Sequence, residues 1–179
     1  MAKAGLLFVG TEDGVVLFSN PGAVGRWLRV GHELRGQVVG VVWARPDNPL
    51  LVVAGCGPAG VWRSDDGGQR WAKVLDTPAA AARGGTLVVL AGKEPALLLA
   101  AGDDVWRSGD DGANWSRAEA DAAFAGGVTV IAPASYHIDT AFAGTGAGQL
   151  YQSADRGRTW QLLKDGLPPV RSIAAARLA

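Results

Sequence analysis

Aspartates and histidines are the side chains of this sequence that could carry metal or acid–base chemistry. Two adjacent aspartate pairs lie at positions 65–66 and 110–111. A calcium loop of the EF-hand type needs more oxygen ligands at set spacing and a distal glutamate, which neither pair has. His32 and His137 have no histidine, cysteine or carboxylate at a spacing typical of zinc. We therefore expect no metal and no cofactor, and interpret the aspartate pairs as parts of structural turns.

Both aspartate pairs belong to a segment that recurs along the chain. Residues 61–71 have near copies at 105–115 and 150–160, and a weaker copy runs from Val16 through Ser19 to Trp27. The tryptophans that end the four copies, at positions 27, 71, 115 and 160, are separated by 44, 44 and 45 residues. A fixed period in this range indicates a repeat architecture.

The elements that must position these turns are short strands. Each period holds four apolar runs of strand length, separated by glycine, proline, aspartate and asparagine. Four sets of four strands are typical of a β-propeller, in which each blade is a four-stranded antiparallel sheet. We predict an all-β fold and a single domain over residues 1–179, with blade repeats at approximately 5–45, 50–92, 97–133 and 140–177.

The last run of each period predicts how the ring closes. Residues 38–42 and 87–90 are apolar at nearly every position, which is typical of strands buried on both faces, and we predict that they are innermost. The chain begins with the second strand of a blade. Residues 170–176 are therefore predicted to complete the N-terminal blade and to hide its edge. A four-bladed monomer and an eight-bladed homodimer both satisfy this closure.

Composition excludes several classes of protein. The 179 residues include 17 basic and 17 acidic side chains, whereas nucleic-acid binders usually carry a basic excess. Hydrophobic residues make up 48% and charged residues 19%, which indicates a globular chain. Cys56 is the single cysteine, so no internal disulfide can form. With no signal-peptide pattern and no uninterrupted apolar stretch of membrane-spanning length, we predict a cytoplasmic protein that binds neither nucleic acid nor membrane.

Three of the turns match the pattern Ser-x-Asp-x-Gly-x-x-Trp, which resembles the Asp-box, or bacterial neuraminidase repeat. The matching residues are Ser64, Asp66, Gly68, Trp71, Ser108, Asp110, Gly112, Trp115, Ser153, Asp155, Gly157 and Trp160. The first copy departs from the pattern, because Ser19 and Trp27 are one residue further apart and Pro21 replaces the aspartate. In such a turn we expect serine and aspartate to bond nearby backbone N–H groups, glycine to adopt a positive φ, and tryptophan to cover the turn or a blade interface.

The resemblance implies a fold rather than a chemistry. Asp-box propellers include sialidases, other glycosidases, sorting receptors and a photosystem II assembly factor, and the Asp-box lies away from their active sites. Sialidases use three arginines, a tyrosine nucleophile paired with glutamate, and an aspartate on the face opposite the Asp-boxes. The loops predicted for that face contain no tyrosine, since Tyr136 is on the other face and Tyr151 is in a strand. We assign no catalytic residue.

The leading hypothesis is therefore a non-catalytic propeller that acts as a protein-binding or assembly scaffold. The alternative is a glycan-binding or glycosidase-like propeller related to the sialidases. We predict that the contact surface is the loop face opposite the Asp-boxes, with the candidate residues His32, Glu33, Arg35, Arg83, Asp104 and Phe124. Phe124 would anchor a protein partner; packing over the channel mouth is the other interpretation of this residue.

Overall fold

The computed structural model describes residues 5–21, 25–77 and 86–177. These residues form sixteen strands and one short 3-10 turn at Gly57–Ala59, so the prediction of an all-β chain is confirmed. No helix in these ranges is long and apolar enough to cross a membrane. The strands are β1 (Gly5–Thr11), β2 (Gly14–Asn20), β3 (Leu28–Glu33), β4 (Val41–Arg45), β5 (Asn48–Gly55), β6 (Val61–Ser64), β7 (Ala72–Leu75), β8 (Leu87–Leu90), β9 (Ala96–Ala101), β10 (Asp104–Ser108), β11 (Ser116–Arg117), β12 (Glu119–Ala120), β13 (Val128–Pro133), β14 (Ala141–Thr145), β15 (Leu150–Ser153) and β16 (Thr159–Lys164).

The strands form four separate sheets. The N-terminal sheet has the order β1-β2-β3, the second sheet β4-β5-β6-β7, and the third sheet β8-β9-β10-β11. The fourth sheet has the order β13-β14-β15-β16, with β12 added beside β16. Strands that follow one another within a sheet pair antiparallel, because short turns join them. The exception is β12, which pairs parallel to β16.

The predicted closure of the N-terminal blade differs from the structure. The N-terminal sheet holds three strands, and the described residues 165–177 form no strand. Val170 instead donates its backbone N–H to the Thr145 carbonyl at 3.0 Å, and Thr129 Oγ1 donates to the Val170 carbonyl at 2.6 Å. Both partners belong to the fourth sheet and its loops. The C-terminal segment therefore packs at the opposite end of the array from β1, and the sheets do not close into a ring.

The core lies between successive sheets and forms three apolar clusters. Leu17 of the N-terminal sheet packs with Ala54 and Cys56 of the second sheet. Val53 and Leu99 join the second sheet to the third in the same way. The largest cluster lies between the third and fourth sheets and contains Leu90, Leu98, Val105, Phe124, Tyr151 and Trp160. Burial of each large apolar side chain contributes roughly 1.5–3 kcal/mol, so sheet-to-sheet contact holds the array together.

The first copy of the repeat has a different register from the one predicted. Asn20, rather than Ser19, lies opposite Gly5 in the sheet, as Ser64 lies opposite Val52. Asn20 is buried, as is Ser64, whereas Ser19 is half-buried. Asn20 also stands the same number of residues before its tryptophan as the other three serines do. Asparagine therefore takes the place of serine in the first copy, and Phe18 is the aromatic residue two positions before it, as Trp62 is before Ser64.

Candidate functional site

The turn at residues 64–71 is held by its own serine and aspartate. Ser64 Oγ donates to Asp66 Oδ1 at 2.9 Å and accepts the backbone N–H of Gly68 at 2.8 Å. Asp66 Oδ1 also accepts the N–H groups of Gln69 and Arg70 at 3.0 and 2.9 Å. One oxygen of a short carboxylate thus satisfies several donors of a tight polar loop.

The turns at residues 108–115 and 153–160 repeat this geometry, and we refer to the three together as the repeat turns. Ser108 and Ser153 each bond the aspartate two positions on. Each also accepts, at 2.8 Å, the N–H of the glycine four positions on, Gly112 or Gly157. The bond from the Arg70 N–H is the main cause of a lowered pKa at Asp66. Burial raises the pKa of Asp110 and Asp155, but bonds from Asn114 and Thr159 outweigh it, so these pKa values are also lowered. The carboxylates stay ionised and belong to the frame of the turn.

The tryptophans of the repeat turns occupy two kinds of position. Trp71 and Trp115 each fold over their own turn and donate Nε1–H to the Gly68 and Gly112 carbonyls at 3.0 Å. Trp160 is 1% exposed, and its ring meets Phe124 edge to face at a centroid distance of 6.2 Å. The parallel strand β12 pairs with β16 at Trp160. Sequence alone missed this difference, because β12 comes from the connection between two sheets.

Each repeat turn also contacts the sheet before it. A methyl group added to Gly68 would lie 3.0 Å from Leu17 Cδ2, and one added to Gly112 would lie 2.7 Å from Val53 Cγ2. Gly157 has the same relation to Leu98. Each repeat turn therefore packs against the preceding sheet as well as forming a local loop.

Arginines bridge the same interfaces. Arg63 Nε donates to the Asp111 carbonyl at 3.2 Å, and Arg107 Nε donates to the Arg156 carbonyl at 2.9 Å. In both cases an arginine of one sheet bonds the turn of the next sheet. The repeated Arg-Ser dipeptides at 63–64 and 107–108 are the signal that could have predicted these bonds.

His32 and Arg35 lie together with Asp13 at one end of the N-terminal sheet. His32 Nε2 bonds the Asp13 carbonyl at 2.5 Å, and its Nδ1 lies 2.8 Å from Arg29 Nη2. Since guanidinium nitrogens only donate, His32 Nδ1 is the acceptor and Nε2–H is the donor. Arg35 Nε donates to the His32 carbonyl at 3.3 Å. His32 Nε2 thus holds the β1–β2 turn, and Nδ1 bonds a side chain of its own strand, β3.

The other candidate residues are spread over the array. Glu33 is half-buried on the opposite face of the N-terminal sheet, beside the turn at residues 67–69. Asp104 is in the third sheet and forms an ion pair with Arg117. Arg83 lies outside the described residues. The five described candidates therefore do not form one site.

Phe124 is buried, which favours packing, the second interpretation of this residue, over an exposed anchor. The side chain is 4% exposed and stacks on Tyr151 at a centroid distance of 4.5 Å. Tyr151 Oη donates to the Ala123 carbonyl at 2.8 Å, which fixes the loop that carries Phe124. An aromatic residue in an alanine- and glycine-rich loop is here a core residue, and a partner cannot reach its ring.

An acidic cleft of about 800 Å³ lies beside the third sheet. Its lining includes four carboxylates and one arginine: Asp103, Asp104, Glu119, Asp121 and Arg117. Asp104 is paired with Arg117, and Asp121 Oδ1 accepts the Leu162 N–H at 2.9 Å. Asp103 and Glu119 are exposed. The cleft has room for a small polar ligand and offers it carboxylate acceptors.

The N-terminal sheet presents an apolar face to solvent. We call it the open face; on β1 and β2 it holds the apolar residues Leu7, Val9, Val16 and Phe18, and on β3 it holds Arg29 and His32. Leu7, Val9 and Arg29 are exposed, and the other three are half-buried. Each sheet has one residue opposite the aromatic residue that stands two positions before the serine or asparagine of the turn. These pairs are Leu7 with Phe18, Ala54 with Trp62, Leu99 with Trp106 and Ala143 with Tyr151. Ala54, Leu99 and Ala143 are at most 4% exposed because the preceding sheet covers them, whereas Leu7 is 46% exposed.

Comparison with known proteins identifies solved structures with a similar fold. No protein-family model and no curated protein matches the chain. Among solved structures, the chain is similar to an ancestral GH74 enzyme, with 18% identity and a TM-score of 0.62 over 87% of this chain and 22% of that one. YCF48 from Cyanidioschyzon merolae matches with 19% identity and a TM-score of 0.48 over 73% and 41%. YCF48 bound to D1 peptide matches with 14% identity and a TM-score of 0.42 over 91% and 79%.

The chain thus spans about a fifth of the length of the GH74 enzyme. At this identity the similarity shows the fold alone, a propeller-like arrangement of antiparallel sheets.

Proposed function

We propose that the chain is a non-catalytic propeller of the Asp-box type whose sheets are blades of one domain, and that it acts as a protein-binding or assembly scaffold. The observation that carries the proposal is the open face. Leu7 and Val9 are 46% and 36% exposed. The residues that correspond to Leu7 in the other three sheets, Ala54, Leu99 and Ala143, are buried. A contiguous exposed apolar face of this kind marks an interaction site.

A free strand edge adjoins the open face. β1 pairs with β2 on one side, and no strand of the described residues pairs with it on the other. Its backbone N–H and C=O groups on that side can pair with an added strand, which is a common mode of protein recognition. The apolar face and the free edge together favour a protein partner over a small ligand.

Site-specific photo-cross-linking tests the proposal. A photoreactive residue at Leu7 or at Val9 is expected to capture the same identified protein in extract of the source cells. Tyr136, which is 43% exposed in the β13–β14 loop, provides a control position of matched exposure. Changing Leu7→Lys should abolish capture from Val9 without lowering the unfolding midpoint. Equal capture from Leu7, Val9 and Tyr136, or no capture from Leu7 and Val9, would contradict the proposal.

The acidic cleft supports the second candidate function, glycan binding. Carboxylates such as Asp103 and Glu119 can accept hydrogen bonds from sugar hydroxyls. Titration calorimetry with neutral oligosaccharides, on the parent protein and on Glu119→Gln, distinguishes the two functions. Saturable heat that the substitution removes would favour the glycan alternative. Its absence, together with protein capture at Leu7, would favour the scaffold.

A further inference from the structure

We infer that the partner of the open face is a second copy of this chain. In this arrangement residues 170–177 of each copy form the inner strand of the other copy's N-terminal sheet, and two open arrays close into one eight-bladed ring. The inference rests on the proposed scaffold function and names its partner.

A repeated backbone bond carries the inference. Val39 and Val128 each donate their N–H to a carbonyl at the hairpin turn of the preceding sheet, Thr11 at 2.8 Å and Gly102 at 2.9 Å. In both cases an edge strand starts at or just after the valine, β4 at Val41 and β13 at Val128. Val170 makes the equivalent bond to the Thr145 carbonyl at 3.0 Å. Val170 therefore stands where the first strand of a fifth sheet would begin.

The residues after Val170 follow the course of such a strand. Val170 packs on Gly144 of the fourth sheet, and the Ala175 carbonyl accepts from Ser135 Oγ at 3.4 Å near the far end of β13. Ile173 and Ala175 are half-buried, while Ala174 and Ala176 are exposed. Alternation with a period of two is the burial pattern of a strand covered on one face. The segment thus runs alongside β13, and no sheet in the described chain takes it in.

The N-terminal sheet lacks the strand that this segment could supply. The second, third and fourth sheets each have three strands before the repeat turn, the first of them at the sheet edge. In the part of the chain that the structure describes, the N-terminal sheet has two strands before its turn, β1 and β2. The missing strand and the unattached segment lie at opposite ends of one array. Two copies placed end to end bring each segment to the partner's free β1 edge. The two contacts are then identical by symmetry, so the ring closes and leaves no uncovered sheet face at the end of either array.

The existing sheets set the expected register. Val42 lies opposite Ala54 and Ile131 opposite Ala143, three residues after Val39 and Val128 respectively. Ile173 is the equivalent position after Val170. Since Leu7 is the counterpart of Ala54 and Ala143, Ile173 should face Leu7 of the partner copy, and Ala174 should face its Leu6.

The two sheet faces that would meet also continue the pattern within the chain. Val53 pairs with Arg63 and Leu98 with Arg107, and both pairs face the following sheet. Phe142 and Gln152 are the same pair in the fourth sheet. Phe142 is half-buried, whereas Val53 and Leu98 are fully buried. The open face of a second copy would cover this pair as the third sheet covers the second.

The mass of the unaltered protein in solution is the first test. Light scattering on a sizing column should give twice the 18.4 kDa of one chain, unchanged on dilution. A mass of one chain at all concentrations would overturn the inference, and so would a ladder of higher multiples, because an open head-to-tail chain does not close.

Disulfide trapping tests the register between copies. One preparation carries Leu6→Cys and the other Ala174→Cys; after mixing, unfolding and refolding, oxidation should link the two chains. The matched control replaces Leu6→Cys by Leu7→Cys, whose side chain points to the other face of β1. The parent protein, which carries only the buried Cys56, is oxidised in parallel as the negative control. A dimer of the expected mass without the Leu6–Ala174 link, or with equal linkage from Leu7, would also overturn the proposed strand exchange.

These outcomes separate the inference from the scaffold function. A single-chain mass together with capture of a different protein at Leu7 would refute the second copy as partner and leave the scaffold function standing. A double mass with the Leu6–Ala174 link would support both.

Discussion

Gly157 of the fourth sheet packs so closely on Leu98 of the third that a methyl group on its α-carbon would overlap Leu98 Cδ2. Gly157 also has a φ of 80°, where side chains other than glycine are strained. The turn glycine is therefore fixed by two separate demands, one from its own turn and one from the neighbouring sheet.

Gly157→Ala should consequently cost more than an ordinary substitution at positive φ. Strain at this φ accounts for about 1–2 kcal/mol, and forcing a methyl group against Leu98 adds about 1–3 kcal/mol. Gly166→Ala is the matched control, since Gly166 has a φ of 74° and nothing within 4 Å of the added methyl group. Urea unfolding of both variants measures the difference. Equal losses would show that the contact with Leu98 does not matter.

Ser153→Ala tests the hydrogen bonds inside a repeat turn. Ser153 Oγ is buried and accepts the Gly157 N–H at 2.8 Å, so the substitution leaves that buried donor without a partner. We expect a loss of about 1–3 kcal/mol in the free energy of unfolding. Ser116→Ala, at an exposed position of β11, should change it by less than about 0.5 kcal/mol. Similar effects of the two substitutions would contradict a structural role for the serine.

Arg156→Ala tests the bridge between the third and fourth sheets. Arg156 Nη2 donates to the carbonyls of Leu90 and Glu94 at 3.2 and 2.8 Å, and Nη1 lies 3.3 Å from Asp139 Oδ1. Losing these charge-assisted bonds should cost roughly 2–3 kcal/mol. Arg158 is the control, because its exposed side chain bonds only within its own turn at the Asp155 carbonyl. Equal unfolding midpoints for the two variants would refute the bridge.

Acid should destabilise the protein through the repeat turns. The pKa values of Asp66, Asp110 and Asp155 lie below the ordinary 3.8 in the folded chain. Their stabilising effect is fully present above pH 3.8 and is lost as the pH falls through the lowered folded pKa values. Urea midpoints should therefore be flat from pH 7 to 5 and fall below about pH 4. Asp66→Asn should lower the midpoint at pH 7 and reduce its acid dependence; an unchanged acid profile would contradict the role of Asp66.

Cys56 should be almost unreactive in the folded protein. Burial raises the pKa of its thiol to about 11, and the thiolate is the reacting form. At pH 8 a disulfide reagent should label the native chain much more slowly than the chain unfolded in urea. Equal rates would show that the Cys56 site opens readily and would require a cysteine-free background for disulfide trapping.

The turns were the most predictable part of this molecule. The Ser-x-Asp-x-Gly pattern specifies bonds that reach no further than four residues, so it predicted contacts such as Ser64 Oγ to the Gly68 N–H. The first copy was harder, because Asn20 replaces the serine while a serine stands immediately before it. The constant distance to the tryptophan, rather than the residue type, was the correct signal.

The candidate site was less predictable, because the exposure of a side chain depends on which distant parts of the chain pack over it. Phe124 has a loop sequence, but the fold brings Tyr151 and Trp160 against its ring. Leu7 has the sequence context of an ordinary strand residue, yet it is exposed because none of the described sheets covers it. Neither outcome is encoded within a few residues of the position.

The sequence by itself determined the period, the all-β fold and the bonding inside each turn, because these depend on hydrogen bonds and alternation over a few residues. Only the tertiary structure decided which sheet each edge strand joins, that Val170 packs beside the fourth sheet, and that β1 keeps a free edge. Strand pairing between distant segments is set by competing apolar surfaces. Several sheet edges of similar composition can accept residues 170–177, and only the packed array distinguishes them.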